Sequence, residues 1–206
     1  MKSKQMKVQF ISGGKLKFYL LGAFFLLSLS LFSQDLSQHN WYFGNSTNSI
    51  RFNRGTNKAQ LTSIPTALSG IGGTSVATDP ATANFLFYTD GVIVRDATNQ
   101  TMPNGAGLSG NPNSNQSSVI CPVPGIQNKY FIFTNSVTGQ ISSSVVNMGA
   151  FGNAPFPNPA LGDVESGNKN QPVAGLSNQS EGMIILSHAN GTDFWLITHN
   201  KTSGIG

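Results

Sequence analysis

A chain of 206 residues with a formal charge of +4 looks basic, but its charge is lopsided. Five of the twelve Lys and Arg residues fall in the first seventeen positions, and from Gln34 onward seven basic groups face eight acidic ones, which excludes the basic surface that holds nucleic acid. A single cysteine, Cys121, excludes an internal disulfide and leaves the fold to its apolar core.

In chain order, Lys2, Lys4, Lys7, Lys15 and Lys17 precede an uncharged run over 18–32 that only Gly22, Ser28 and Ser30 interrupt. A charged head followed by an apolar middle is the pattern of a secretory signal peptide. The run is shorter than the ~20 apolar residues that a bilayer span takes. The expected organisation is a signal peptide over 1–33, cleaved near Ser33 to leave Gln34 first, and an exported domain over 34–206 with no stable membrane span. No cysteine follows the run to accept a lipid.

Residues 40–44 read as a short aromatic strand and 49–53 as one with period two, joined by a turn at 45–48. A strand near 60–63 and the glycine-rich 69–73 follow. With no Lys-Ser or Lys-Thr behind it and no helix to open, that stretch is not a phosphate loop. Three units come next. The first has strands at 74–78, 85–89 and 92–96, with Asp90-Gly91 as a tight hairpin turn between the last two. The second has strands at 118–123, 130–134 and 141–148. The third has strands at 183–188 and 193–199 about Asn190-Gly191, in a register that pairs His188 with Asp193, Leu186 with Trp195 and Ile184 with Ile197. Residues 102–117 and 149–175 are rich in Gly, Asn and Pro and read as surface loops.

One strand recurs. Aligned on Phe85, Tyr130 and Phe194, each copy is a run of large or aromatic residues ending in a Thr (89, 134, 198) and a polar residue (Asp90, Asn135, His199). These runs do not alternate apolar with polar as a strand with one wet face does, so both faces are expected to be buried and each small sheet to lie between two others. The predicted fold is all-β, a β-propeller-like series of antiparallel meanders, with a β-sandwich as the alternative. About three blades are counted, the last unfinished, and a ring takes about four or more. The chain is therefore expected to be an incomplete propeller, truncated at its C-terminus.

Trp41-Tyr42-Phe43-Gly44, Phe85 through Gly91, Met102-Pro103-Asn104-Gly105, Leu161-Gly162-Asp163 and His188 through His199, taken in order, resemble the N-terminal region of large secreted Bacteroidetes proteins. Those proteins carry PKD-like or other adhesive modules and end in a gliding-motility-associated, type IX secretion sorting domain. The resemblance implies an exported propeller-like domain, displayed at the cell surface or secreted, that binds or adheres. The sorting domain is not among these residues, so a chain ending as written is expected to stay in the periplasm. The resemblance brings no catalytic residues with it.

The candidate binding residues are His199, Asp90 and Asn135, the matching strand ends, which neighbouring blades would gather around one axis for an extracellular ligand, a glycan or a protein. Asp90 also reads as a plain turn residue. Asp163 and Glu165 share a Gly- and Asn-rich loop and are the calcium candidates, short of a full ligand set; no other cofactor is expected. His188 and Asp193 read as a cross-strand pair, and at ~3.3 Å per residue along a strand His188 and His199 lie too far apart to share a metal. Cys121 reads as a small buried hydrophobe, and Trp41 and Trp195 as core aromatics. Eight carboxylates, most of them in turns, offer no convincing glycosidase pair. The sequence thus favours a non-enzymatic module, the alternative being a secreted hydrolase or lyase whose central-channel site is completed by blades missing here.

Overall fold

The structure, a computed structural model, describes residues 38–53, 55–56, 58–63, 66–68 and 72–202. The signal peptide expected at 1–33, the new N-terminus at Gln34, residues 69–71 of the glycine-rich stretch and residues 203–206 lie outside the described residues. Among the described residues the chain is all-β, relieved only by one 3-10 turn at Ser166–Asn168. No helix there is long and apolar enough to cross a membrane.

Four antiparallel sheets follow one another in chain order, and none closes into a barrel. The first holds β1 (Asn40–Trp41), β2 (Ser49–Phe52) and β3 (Ala59–Thr62). The second is the meander β4 (Ser75–Thr78), β5 (Phe85–Thr89), β6 (Ile93–Asp96) and β7 (Thr101–Ala106). The third is the meander β8 (Ser118–Pro122), β9 (Lys129–Asn135), β10 (Ile141–Asn147) and β11 (Asp163–Val164), with β12 (Gln171–Pro172) also paired to β10. The fourth is the hairpin β13 (Gln179–Ser187) and β14 (Phe194–Asn200).

Apolar side chains lock each sheet onto the next. Between the first and second, Tyr42, Leu68 and Tyr88 are buried together, with Phe85 stacked on Tyr42 at 4.4 Å. Between the second and third, Phe87, Val94, Met102, Tyr130, Ile132, Val146 and Val164 form the main core, with Phe87 edge-on to Tyr130 at 5.7 Å. Two layers of this kind need side chains on both faces of the shared strand, and β5 supplies them through a bulge. Thr78 pairs with Phe85 but Ala77 with Phe87, leaving Leu86 as the extra residue. Phe85 and Tyr88 therefore both meet Tyr42, while Phe87 turns to Tyr130.

The repeat has a copy that its spacing hid. Trp41-Tyr42-Phe43 opens the first sheet as Tyr130-Phe131-Ile132 opens β9, and Trp41 precedes Phe85 at almost the interval that separates Phe85 from Tyr130. Tyr42 faces the following sheet, so its neighbour Trp41 faces away from it.

Several expectations change. The loop predicted at 102–117 begins as β7, an edge strand whose Pro103 falls at a register break between the Ile93↔Ala106 and Arg95↔Thr101 pairs, where no ladder N–H is needed. The loop predicted at 149–175 contributes β11 and β12, too short to show any period. The third repeat is less buried than expected: on β14 one face is half-buried, and on the other face of the hairpin Ile184, Leu186, Trp195 and Ile197 are about half exposed, with no further sheet among the described residues. Trp195, at 57 % exposure, and Trp41, at 46 %, are consequently not core residues; they sit on the uncovered faces of the last and first sheets. The predicted pairs Leu186↔Trp195 and Ile184↔Ile197 form as expected.

Phe87→Ala, at a fully buried side chain, is expected to cost about 3–5 kcal/mol. Tyr88→Phe keeps the ring and removes an OH that donates to Asn99 Oδ1 and accepts from Ala67 N–H, for about 1 kcal/mol. Urea denaturation of the two variants measures the difference.

Candidate functional site

The first strands of the sheets converge: β1 packs beside β4, β4 beside β8 and β8 beside β13. Polar ties fix the last three in one direction. Gly72 N–H donates to Pro112 O, Gly73 N–H to Ser114 O and Ser75 Oγ to Ser118 O. Asn115 N–H donates to Glu181 Oε2 at 3.1 Å, while Gln116 accepts from Met183 N–H at 2.9 Å and donates back to Met183 O. Partner numbers rise together, so β4, β8 and β13 run parallel. The approach is close enough to require glycine: a Cβ on Gly72 would lie 1.9 Å from Ser114 O, and one on Gly73 2.3 Å from Asn115 O.

β1 runs the other way. Asn40 Nδ2 donates to Thr78 Oγ1 at the far end of β4, and Thr74 Oγ1 to Tyr42 O at the near end. It therefore has the direction of the second strand in the other sheets, consistent with its sequence. It pairs along one edge only, with β2.

These four strands enclose an open cavity of about 980 Å³, with a smaller one of about 130 Å³ beside it. The large cavity is lined by Gln38, by 40–44 and 72–76, by Asn115, Gln116 and 118–120, and by 183–185. Among the described residues none of its lining is Asp, Glu, His, Lys, Arg or Cys. Trp41 and Phe43 supply aromatic wall, Val76, Val119, Ile120 and 183–185 aliphatic wall, and Tyr42 with amides, hydroxyls and glycines the rest.

Of the three matching strand ends, Asp90 and Asn135 come beside one residue, Ser117: Asn135 N–H donates to Ser117 O at 3.2 Å, and a Cβ on Gly91 would lie 2.9 Å from that oxygen. Asp90 is buried and its Oδ1 accepts from Val92 and Ile93 N–H, forming a side-chain-capped turn; only Gly91 has the positive φ (86°) that a two-residue hairpin would demand of both centres. Asn135 is buried, with its Nδ2 donating to Ser180 O across to the fourth sheet. His199 is exposed and alternates in phase with Trp195 and Ile197 on the uncovered face. None of the hydrogen bonds of Asp90 or Asn135 joins them to each other.

The calcium candidates point to different partners. Asp163 accepts from Asn104 N–H, Asn104 Nδ2 and Val164 N–H, tying β11 to β7. Glu165 pairs with Lys129 at 2.5 Å and accepts from Asn168, and these donors hold its carboxyl below the usual 4.5. The carbonyls of Asn104 and Ala106 are taken by Lys169 Nζ. Among the described residues no three of His, Cys, Asp and Glu come together as a metal site. His188 N–H donates to Asp193 O, and its ring lies 5.3 Å from that of Trp195, while the Asp193 carboxylate accepts from Asn190 instead. Cys121 is buried and burial pushes its thiol up to about 12.

Of the cavity-lining residues, the aromatic Trp41-Tyr42-Phe43 stood out in the sequence, with Trp41 read as core; the signal of the rest is the Ser-Val pair that opens both β4 (Ser75-Val76) and β8 (Ser118-Val119). No protein-family model, curated protein or solved structure matches the chain.

Two measurements follow from these environments. Cys121 is expected to resist alkylation by iodoacetamide in the native chain and to react fully in denaturant. Glu165→Gln should lower stability by less than about 1 kcal/mol at neutral pH, the pair being partly exposed. Because the folded carboxyl is held low, this contribution is present above 4.5 and is lost as pH falls through the folded value, so wild type and variant converge in acid.

Proposed function

We propose that this chain is an exported, non-enzymatic binding module of β-propeller type, belonging to a secreted or cell-surface protein that adheres to extracellular material, with gliding motility as one setting. The propeller proposal draws support from successive antiparallel meanders whose first strands lie side by side around one cavity. Export and surface location rest on the N-terminal charge and hydropathy pattern and on the family resemblance.

The observation that carries binding over catalysis is the chemistry of the cavity wall. A hydrolase or lyase site needs a placed acid or base, or an activated nucleophile, and among the described residues this wall has hydroxyls but no carboxylate, imidazole, amine or thiol beside them. Its size lies at the upper end of ligand pockets, ~300–1,000 Å³, and its mixture of aliphatic side chains with amides and hydroxyls suits an uncharged ligand.

Val119 lies on the wall and outside the buried core. Val119→Arg places a charge where none exists. The wild-type chain is expected to bind extracellular polysaccharide or protein in a surface-plasmon screen without turning over chromogenic glycosides or peptides, and Val119→Arg to weaken that binding at least about tenfold. Binding unaffected by the arginine would remove the cavity as the site.

A further inference from the structure

We propose that the large cavity takes an extended, uncharged polypeptide segment, added as a β-strand along the free edge of β1. The inference rests on the proposal that the cavity is a binding site, and it names the ligand class.

Three observations carry it. In the second, third and fourth sheets the strand bordering the cavity is a first strand, and β4, β8 and β13 run parallel. In the first sheet that place is held by β1, which runs opposite to β4 and has the sequence of a second strand. Among the described residues the first sheet thus has strands matching the second, third and fourth of its neighbour and none matching the first. The cavity lies where that strand would be, with Gln38 and 40–44 along one wall and β4 and β8 along others.

The chemistry of the vacant place agrees. A strand edge offers a row of N–H and C=O groups that an incoming strand satisfies. Among the described residues β1 pairs only with β2, which leaves its other edge to such a partner apart from the Tyr42 carbonyl, which Thr74 engages. The uncharged wall excludes a strand with charged residues at its centre. Of the three strands at the equivalent place, β4 and β8 open with Ser-Val, which alternates a small polar with a small apolar side chain, while β13 carries one charge, Glu181, which accepts from Asn115 N–H. A segment of that composition, antiparallel to β1 and parallel to β4, fits the pattern of the other sheets.

The test uses the purified full chain and a fluorescein-labelled synthetic peptide with the sequence of residues 73–78. Saturable one-to-one binding in fluorescence anisotropy is expected. A second peptide with the same side chains but alternate backbone nitrogens methylated is expected to bind at least about tenfold more weakly, because it cannot complete the ladder. Absence of peptide binding, or equal binding of the methylated peptide, overturns strand addition. If the peptide fails while another uncharged ligand still binds and remains sensitive to Val119→Arg, the strand inference falls and the binding module stands. If neither binds, both fall.

Discussion

The stacking of apolar faces across successive sheets is the constraint on which this molecule depends. Antiparallel pairing satisfies backbone groups within a meander but leaves two faces, and an apolar face left in water forfeits the burial that offsets chain entropy. The Tyr42, Phe85 and Tyr88 cluster on one side of the second sheet and the Phe87 and Tyr130 contact on the other show how it is met. The β5 bulge follows directly: a strand serving two interfaces must present large side chains both ways, and one extra residue changes which positions do so. So do the half-exposed Trp41 and Trp195, which occupy the same kind of position on sheets with nothing beyond them.

Loops that look free in sequence are recruited to the same task. Asp96 is fully buried and accepts from Thr98 and Gln100 N–H, and Asn153, from the long excursion after β10, reaches back to its other oxygen at 2.8 Å. Asp163 and Lys169 of the same excursion hold β7. A buried carboxylate is tolerated only when so many donors surround it, and these donors come from two sheets. Asn153, Asp163 and Lys169 of 149–175 are therefore taken up by the fold.

What could be read from the sequence is what periodicity and local turn chemistry control. The recurrent strand, its four-residue core of large side chains and the Ile184↔Ile197 and Leu186↔Trp195 register were all legible. Sidedness was not, because it depends on the Leu86 bulge and on which sheets have neighbours. The two-residue strands β11 and β12 were equally hidden, since they are too short to carry a pattern and exist only through their partners. The matching strand ends Asp90, Asn135 and His199 are equivalent in sequence, but their burial could not be read there. Two are buried ties and one faces outward, while the cavity wall sets the aromatic 41–43 among Ser, Val, Ile and amide positions that any strand could carry.

Strand direction adds a further step. The first sheet reaches the second through the Tyr42 cluster and through single hydrogen bonds such as Asn40 to Thr78 and Ala67 to Tyr88. The second and third share a larger core together with the Asp163 and Asp96 ties. The least-tied sheet is thus the one whose cavity edge is open. A segment that paired with β1 while packing on β4 and β8 would join that sheet to the rest, so ligand recognition and the cohesion of the first sheet draw on the same backbone groups. Any ligand that binds only the folded form stabilises it, by about 2.7 kcal/mol at a hundredfold excess over Kd. In this architecture that stabilisation would be felt first in the first sheet. Under the proposed strand addition, binding energy would be spent on assembling the surface that binds.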